Sequence, residues 1–432
     1  MSGPRPGAMP DQARTRAPGA ETAPLGLFLA GTPGLEHVLA GEAGAPGLGL
    51  EDVRVVPGGV EATGDWPAVW RANLGLATAT RVLVRLATFR AMHLAQLDKR
   101  LRRIDWSAVV APGMAVSVEA SCRRSRIYHQ RAAAERLATA LTDAGAQIAG
   151  GDGARGDGAG GDGARGDGAG GAPPPLAMML RIEDDLATVS VDSSGAALHR
   201  RGAKQAVGPA PLRETLAAAF LAEAGFDGVE PVVDPMCGSG TFVIEAATRA
   251  AGLAPGRLRH FAFERFAGHD AGAYAVLRQG GAVEPAGPAR YFGADRDIGA
   301  IRMSEQNAAR AGVTAITAFD CHSVSDLECP DTAPGLVMVN PPYGGRIGDR
   351  RQLGALHAAL GRVLMARFAG WRVGLVTSEA GLARATGLPF APPGPPVPHG
   401  GLKVRLWQTG KLGGKLGGKP GGKSGGRADG RG

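Results

Sequence analysis

Two polar segments, far apart in the chain, combine residue types that could bind a ligand and orient an amine. Asp234-Pro235-Met236-Cys237-Gly238-Ser239-Gly240-Thr241 follows one apolar run, and Asn340-Pro341-Pro342-Tyr343 follows another. The glycines of the first segment let the backbone turn tightly and present bare N–H groups, as in nucleotide sites. The prolines of the second hold the preceding Asn at a strand's carboxyl end, where open α/β sheets bind ligands.

The second segment suits chemistry on an NH₂ group. Such a group, conjugated to a ring or a carbonyl, is a poor nucleophile and must be oriented. The side-chain oxygen of Asn340 and the carbonyl of Pro341 offer acceptors for its two hydrogens, and Tyr343 offers a flat face for stacking.

Together the two segments resemble the motifs of class I S-adenosylmethionine (SAM) methyltransferases that modify exocyclic or amide nitrogens. The resemblance implies an α/β fold with a Rossmann-like methyltransferase domain and SAM as cofactor. It assigns cofactor binding to Asp234, Met236, Cys237, Gly238, Ser239, Gly240 and Thr241, and catalysis to Asn340, Pro341, Pro342 and Tyr343. Asp234 would hold the sulfonium side or the amino group, with a structural cap as the alternative. Cys237 is expected to be structural and not a nucleophile.

Acidic residues near the ends of the next two predicted strands complete this site. Asp295 is expected to accept from a ribose hydroxyl, while Asp297 caps the helix that follows. Asp320 would accept from the adenine amino group, with the Cys321 N–H nearby. Asp326 is a competing candidate for that role.

A basic segment follows a strand predicted at 116–120. Arg123, Arg124 and Arg126 could hold phosphates, and Tyr128 and His129 bring rings against which a base could stack. An ordinary solvated basic face at a helix start is the alternative.

Residues 25–200 are similar to the N-terminal portion of THUMP-containing RNA methyltransferases, through the segments 32–36, 122–129 and 198–202. In that family the THUMP domain is an α/β module that binds RNA, so the resemblance adds Arg200 and Arg201 to the expected RNA contacts. The longer N-P-P-Y-G-x-R-[IL]-G pattern resembles the guanine-N2 methyltransferases of 23S ribosomal RNA. Within it, Arg346 could pin a phosphate or order the loop.

The predicted organisation places a THUMP-containing RNA-binding region at 25–200 and a methyltransferase domain at 201–409. Low complexity predicts a disordered leader at 1–24, a flexible Gly/Asp-rich insertion at 150–173 and a disordered basic tail at 410–432. The insertion contains one ten-residue unit twice, at 151–160 and at 161–170. Neither copy has a large apolar residue, which excludes a calcium-binding β-helix.

Local patterns predict several individual elements. Helical periodicity covers Arg90 to Ile104, and the apolar run Val229 to Val233 predicts the strand before the glycine loop. A two-strand hairpin is expected around Glu183 to Asp185, another strand from Ala315 to Asp320, and a final edge strand from Gly401 to Trp407.

Composition narrows the class further. No apolar run approaches the roughly 20 residues of a membrane span, and the first residues lack a secretory signal, so we expect a cytoplasmic protein with no membrane partner. Four cysteines without C-x-x-C spacing predict neither disulfides nor a metal site. The net charge of +8 favours a polyanionic partner, although the tail at 411–432, with six Lys or Arg against one Asp, supplies +5 of it.

We therefore expect SAM-dependent methylation of the exocyclic N2 of a guanine in 23S ribosomal RNA. The alternatives are the same reaction on transfer RNA, or a non-catalytic RNA-binding factor for ribosome assembly.

Overall fold

The computed structural model describes residues 24–149, 173–205, 212–279, 287–343 and 350–413. The predicted leader, nearly all of the Gly/Asp-rich insertion, most of the basic tail and Arg346 lie outside the described residues. Within the described ranges the chain folds around two β-sheets, each with its own helices. None of the helices in these ranges is long and apolar enough to span a membrane.

The first sheet contains the strands of the N-terminal half. They are β1 (Leu25–Ala30), β2 (Glu51–Val56), β3 (Gly59–Gly64), β4 (Arg81–Arg90), β5 (Ala115–Arg123), β6 (Gln147–Ile148), β7 (Leu176–Glu183) and β8 (Leu186–Asp192). Their order in the sheet is β2-β3-β1-β4-β8-β7-β5-β6. Buried and partly exposed residues alternate along β4 and β7, so one face of the sheet is apolar. The helices of this half are α1 (Glu36–Ala43), α2 (Trp66–Gly75), α3 (Leu94–Leu101) and α4 (Gln130–Asp143).

Two expectations for this half need comment. The helix expected from Arg90 to Ile104 is shorter, because β4 includes Arg90 and α3 begins only at Leu94, where His93 caps it. The hairpin predicted around Glu183 to Asp185 is confirmed. Asp184 and Asp185 both have positive φ, which matches the twist of a tight two-residue turn.

The second sheet contains β9 (Val232–Asp234), β10 (Tyr291–Asp295), β11 (Thr317–Cys321), β12 (Leu336–Val339), β13 (Arg372–Thr377), β14 (Val397–His399) and β15 (Leu402–Gln408). Its order is β11-β10-β9-β12-β13-β15-β14, and β9 to β13 are parallel. Its helices are α5 (Glu214–Glu223), α6 (Thr241–Ala250), α7 (Ala271–Gln279), α8 (Ile298–Ala311), α9 (Arg350–Arg367) and α10 (Ala380–Ala385). The strand order reverses between β9 and β12, which is where open α/β sheets form a crevice for ligands.

Several strand boundaries in this sheet differ from the sequence patterns. β9 begins only at Val232, because the side chain of Asp227 turns the chain by accepting from the N–H groups of Val229 and Glu230. The strand expected from Ala315 begins at Thr317, after a 3₁₀ turn at Thr314–Ile316. The prediction that the last strand lies at the edge is wrong, since β14 pairs outside β15. The α/β fold class is confirmed.

A segment of the second half, residues 254–279, packs into the core of the first. Phe263 and Tyr274 are buried there with Trp70 of α2, and the ring centroids of Trp70 and Tyr274 are 6.1 Å apart. The Gly256 N–H donates to the carbonyl of Leu74 at 2.9 Å. The two halves are therefore joined by apolar packing as well as by the chain that links them.

Candidate active site

The glycine loop leaves the carboxyl end of β9 directly after Asp234. Gly238 and Gly240 have φ of 55° and 81°, values at which a side chain is strained, so the tight turn requires glycine at both. A Cβ at Gly240 would also lie 3.0 Å from Ser304. The turn delivers the chain into α6 at Thr241, with the first N–H groups of that helix at the carboxyl edge of the sheet.

The loop is held in place by side chains from β10 and α8. Asp295 Oδ2 accepts from the Gly238 N–H at 3.0 Å. Ser304 donates to the Gly238 carbonyl at 2.9 Å, and the Asn307 amide donates to the Ser239 carbonyl at 3.1 Å. Sequence reasoning missed Ser304 and Asn307, although polar residues on the inward face of an amphipathic helix were a signal. Both are fully buried.

Asp295 and Asp297, at and just after the end of β10, make different contacts. Asp297 caps α8 by accepting from the Gly299 N–H at 2.8 Å, which confirms the predicted cap. Asp295 is the last residue of β10, and its other oxygen accepts from the Asp297 N–H at 3.0 Å. Asp295 therefore shapes the loop, and its position at a strand end beside the loop leaves the predicted contact with a ribose as a proposal.

Asp234 is a buried carboxylate with little compensation. Its Oδ1 accepts from the Met236 N–H at 3.1 Å, and its side chain is only 3% exposed. Burial raises its pKa to about 8; the hydrogen bond from Met236 lowers it, and the negative charge of Asp295 raises it further. Among the described residues no cation contributes to this balance. A cationic ligand would supply the missing charge.

Cys237 is buried next to the loop. Its N–H donates to the Ala294 carbonyl, and its sulfur lies 3.8 Å from the Ser304 hydroxyl. Burial raises the pKa of the Cys237 thiol well above its ordinary value, with the nearby carboxylates of Asp234 and Asp295 acting in the same direction. Because the thiolate is the nucleophilic form, this environment supports a structural role for Cys237.

The second motif starts from the strand next to β9. Val337 of β12 pairs in parallel with Val233 of β9, so Asn340 and the glycine loop leave from adjacent strand ends at the same edge of the sheet. Adjacent strands lie about 4.8 Å apart. The two motifs are thus neighbours in space, as the sequence predicts.

Asn340 carries an unused acceptor. Its Oδ1 is buried and has no hydrogen-bond partner within the described part of the chain. Buried polar atoms are rarely left unpaired in folded proteins, and such an exception points to a ligand or a water. Pro341 is buried beside it and Tyr343 is partly buried. Burial raises the pKa of Tyr343 to about 12, so its hydroxyl stays protonated at neutral pH.

Asp320 and Cys321 lie on the outermost strand of the sheet. In β11 they pair with Ala294 and Asp295, and both are exposed. The competing candidate, Asp326, accepts from the Ser323 hydroxyl at 2.8 Å and so closes a local turn. This engagement leaves Asp320 as the freer acceptor near the crevice.

Comparison with protein families identifies both halves of the chain. Residues 201–388 match the model described as RMKL-like, methyltransferase domain, and residues 26–83 match the RlmL ferredoxin-like domain. Residues 201–388 are therefore similar to the RMKL-like methyltransferase domain. The matched range of the RMKL-like domain contains the glycine loop, the three acidic strand ends and Asn340.

Individual relatives agree with the family. Over 371 residues the chain is 34% identical to the ribosomal RNA large subunit methyltransferase K/L of Methylococcus capsulatus, covering 84% of this chain and 48% of the relative. The corresponding protein of Syntrophotalea carbinolica is 35% identical over 378 residues, covering 85% of this chain and 51% of the relative. The chain thus spans about half the length of these curated relatives.

A solved structure resembles most of the described fold. It is the structure of a possible methylase from Clostridium difficile 630, with a TM-score of 0.74 and 25% identity. The match covers 93% of this chain and all of that one. The two-sheet fold of this chain is therefore shared with a known structure.

Ahead of the RMKL-like domain, the predicted RNA-binding residues at the end of β5 are in different environments. Arg124 forms hydrogen bonds with both oxygens of Asp184, at 3.0 Å each, and with Glu183 at 2.8 Å. Tyr128 is 71% exposed, and its ring centroid lies 4.2 Å from that of His129. The charge of Arg124 is thus largely compensated within the protein, while the ring pair is accessible.

Arg126 and its neighbours extend this surface. Its side chain reaches Met92 Sδ at 3.4 Å, and its backbone N–H donates to Asp185 at 2.7 Å. Met92 and Leu186 are both exposed apolar residues, 43% and 41% accessible. The surface therefore combines positive charge with apolar area.

The prediction that Arg201 contacts RNA is wrong. Its side chain is buried, with Nε 2.8 Å from Glu245 and Nη2 donating to the Ala77 carbonyl at 2.9 Å. A guanidinium enclosed in this way cannot reach a phosphate. Arg200, the preceding residue, is partly exposed, and its predicted contact with RNA remains a proposal.

Proposed function

We propose that this protein transfers a methyl group from SAM to the exocyclic N2 amine of a guanine in 23S ribosomal RNA, in the cytoplasm. The single observation that carries the proposal is the buried Oδ1 of Asn340, which has no hydrogen-bond partner among the described residues and lies at the strand end next to the glycine loop. An acceptor in that position suits an amine that must be held while it attacks.

The crevice suits SAM as cofactor. Bound SAM supplies a methyl group on a positively charged sulfur, and the molecule also carries an amino group and a carboxylate. The uncompensated carboxylate of Asp234 fits a cationic group, and the N–H groups at the start of α6 fit a carboxylate. Asp295 and Asp320, near the ends of β10 and β11, would accept from the ribose and the adenine amino group.

The target amine would be oriented by the Asn340 corner. Asn340 Oδ1 and the Pro341 carbonyl accept its two hydrogens, which aims the nitrogen lone pair toward the crevice, while the Tyr343 ring stacks on the base. The target base must leave its stack to reach this position. Positioning supplies most of the rate enhancement, because the leaving group is already activated by its positive charge.

The choice of ribosomal RNA rests on the relatives and on the N-terminal module. The two curated relatives are named as methyltransferases of the large-subunit ribosomal RNA. The exposed Tyr128–His129 ring pair, with Arg123, Arg126 and Arg200, would hold the RNA outside the crevice. Arg346, three residues after Tyr343 in the sequence, would contribute another contact.

The test is Asn340→Ala, assayed with labelled SAM on an unmodified 23S transcript and by titration with S-adenosylhomocysteine. We expect turnover to fall at least ~100-fold, because misplacing the amine costs that much, while the Kd for S-adenosylhomocysteine stays within about 3-fold of wild type. Tyr343→Phe is the matched control: it keeps the stacking face and should retain most activity, whereas Tyr343→Ala should not.

Three outcomes would contradict the proposal. Equal loss of cofactor binding and turnover in Asn340→Ala would make Asn340 part of the cofactor pocket. Methylation of transfer RNA but not of the 23S transcript, found by mass mapping of the modified guanosines, would change the substrate. Cofactor or RNA binding without any methylation by the wild type would indicate a non-catalytic RNA-binding factor.

A further inference from the structure

A cluster of charged residues lies against the outer face of α6, opposite the side where the sheet packs. It lines a cavity formed by the start of α5, by α6 and by the linker, which is the segment that follows β8, residues 193–205. The members that the argument uses are Arg201, Lys204, Glu214, Thr241 and Glu245. The proposed chemistry uses none of them except Thr241, which follows the glycine loop.

Lys204 makes two directed contacts in this cluster. Its Nζ donates to the Leu212 carbonyl at 2.7 Å and to the Thr241 hydroxyl at 2.9 Å. Burial lowers the pKa of Lys204, and the neighbouring carboxyl groups of Glu214 and Glu245 oppose this shift without cancelling it. A charged donor forms stronger hydrogen bonds than a neutral one.

The contact with Thr241 lies where the glycine loop turns into α6. Thr241 is the first residue of α6 and follows Gly240, whose positive φ turns the chain into the helix. On its other side the loop is held by Ser304 and Asn307 of α8. Without Lys204, this turn would be held only by the contacts from β10 and α8.

The same linker also contacts α6 and α8, the two helices that flank the glycine loop. Arg201 pairs with Glu245, one turn after Thr241 on the same face of α6. The Ala203 carbonyl accepts from Arg310 of α8 at 2.7 Å. The linker therefore sets the position of both helices that flank the loop, and Lys204 is its contact nearest to the loop.

We propose that Lys204 is a positioning residue for the cofactor site: it holds the first turn of α6, and so the N–H groups of the glycine loop, where the carboxylate of SAM binds. This inference rests on the proposed function. Lys204 does not touch the cofactor in this proposal and acts through Thr241.

The test compares Lys204→Met, Thr241→Val and the double variant by calorimetric titration with S-adenosylhomocysteine. We expect Lys204→Met to weaken binding about 5- to 10-fold, the range of one hydrogen bond. The double variant should bind no more weakly than Thr241→Val, because in this proposal Lys204 acts on the cofactor site only through Thr241. Lys403→Met, which removes an exposed lysine of β15, is the control and should bind as wild type.

Kinetics separates positioning from a merely structural role. Lys204→Met should raise the KM for SAM and leave both the KM for RNA and kcat at saturating SAM within about 2-fold. Additive losses in the double variant, or unchanged affinity in Lys204→Met, would overturn the inference and leave the proposed function intact. If Lys204→Met does not fold, wild-type affinity in Thr241→Val would overturn it as well. No binding of S-adenosylhomocysteine by the wild type would overturn the proposed function, and this inference with it.

Discussion

At the scale of single residues, the crevice contains groups that are unfavourable for the empty protein and useful with a ligand. Asp234 is buried without a cationic partner in the described ranges, and Asn340 Oδ1 accepts no hydrogen bond from them. Folding alone would select Asn or an apolar residue at the first position and a paired group at the second. Residues that break such rules are typical of functional sites.

Asp234→Asn tests this reading through pH. The pKa of Asp234 in the folded protein is about 8, above its ordinary 3.8, so the protonated form is the favoured one. Its contribution to stability is complete below pH ~4 and is lost as the pH rises through 8. Without ligand, the free energy of unfolding of the wild type should therefore fall over this range, by on the order of a few kcal/mol, more than that of Asp234→Asn.

Urea denaturation at pH 5 and pH 8 measures the difference. Asp331→Asn, at an exposed position, is the control and should follow the wild type. The variant should also bind S-adenosylhomocysteine more weakly, because it lacks the charge. If the free energy of unfolding depends on pH equally in Asp234→Asn and in the wild type, the pKa of Asp234 is not raised in the folded protein, and the prediction is contradicted.

At the scale of elements, the segment 254–279 joins the two halves, and Arg259 is its main polar contact. The guanidinium, 8% exposed, donates to carbonyls of the linker: Ala197 at 2.8 Å, Arg200 at 3.1 Å, Ser194 at 3.1 Å and Ala196 at 2.6 Å. It also lies 5.0 Å from the centroid of the Phe261 ring. The Arg259 side chain thereby supplies hydrogen-bond donors to four backbone carbonyls in the segment that follows β8.

Arg259→Met should lower the free energy of unfolding by about 2–4 kcal/mol, because it leaves several buried carbonyls without donors. The measurement is urea denaturation, with Arg296→Met, at an exposed position, as the control. A loss no larger than that of the control would show that water replaces the guanidinium at no cost.

At the scale of the whole molecule, the proposed RNA surface and the crevice belong to different modules. Tyr128 and His129 lie at the end of β5 in the first sheet, whereas Asn340 follows β12 in the second. The linker and the segment 254–279 join the two modules. We therefore expect affinity for RNA to depend on the first module and turnover on the second.

Tyr128→Ala should weaken binding of the 23S transcript about 5- to 50-fold without changing the slope of log Kd against log salt, because stacking releases no counterions. Arg124→Ala should change affinity less, since Asp184 and Glu183 already compensate its charge. Fluorescence anisotropy over a range of KCl concentrations measures both. A larger loss in Arg124→Ala than in Tyr128→Ala would place phosphate contacts above stacking on this surface.

Local patterns in the sequence were sufficient for the α/β class, for the glycine turn and for the Asn340 corner. Each of these depends on neighbours in the chain: Gly238 and Gly240 adopt backbone angles that other residues resist, and β12 is a short apolar run ended by an Asn and two prolines. Asp297 as a helix cap is local in the same way.

Only the tertiary structure decided which charged residues are available and what holds the loop. Arg201 looks like its exposed neighbour Arg200 until Glu245 and Ala77, both distant in sequence, enclose it. Ser304, Asn307 and Lys204 meet the loop through contacts that span 37 to 68 positions. Such contacts leave no periodic signal, because the partner of a buried polar group is set by how the elements pack and not by the residues beside it.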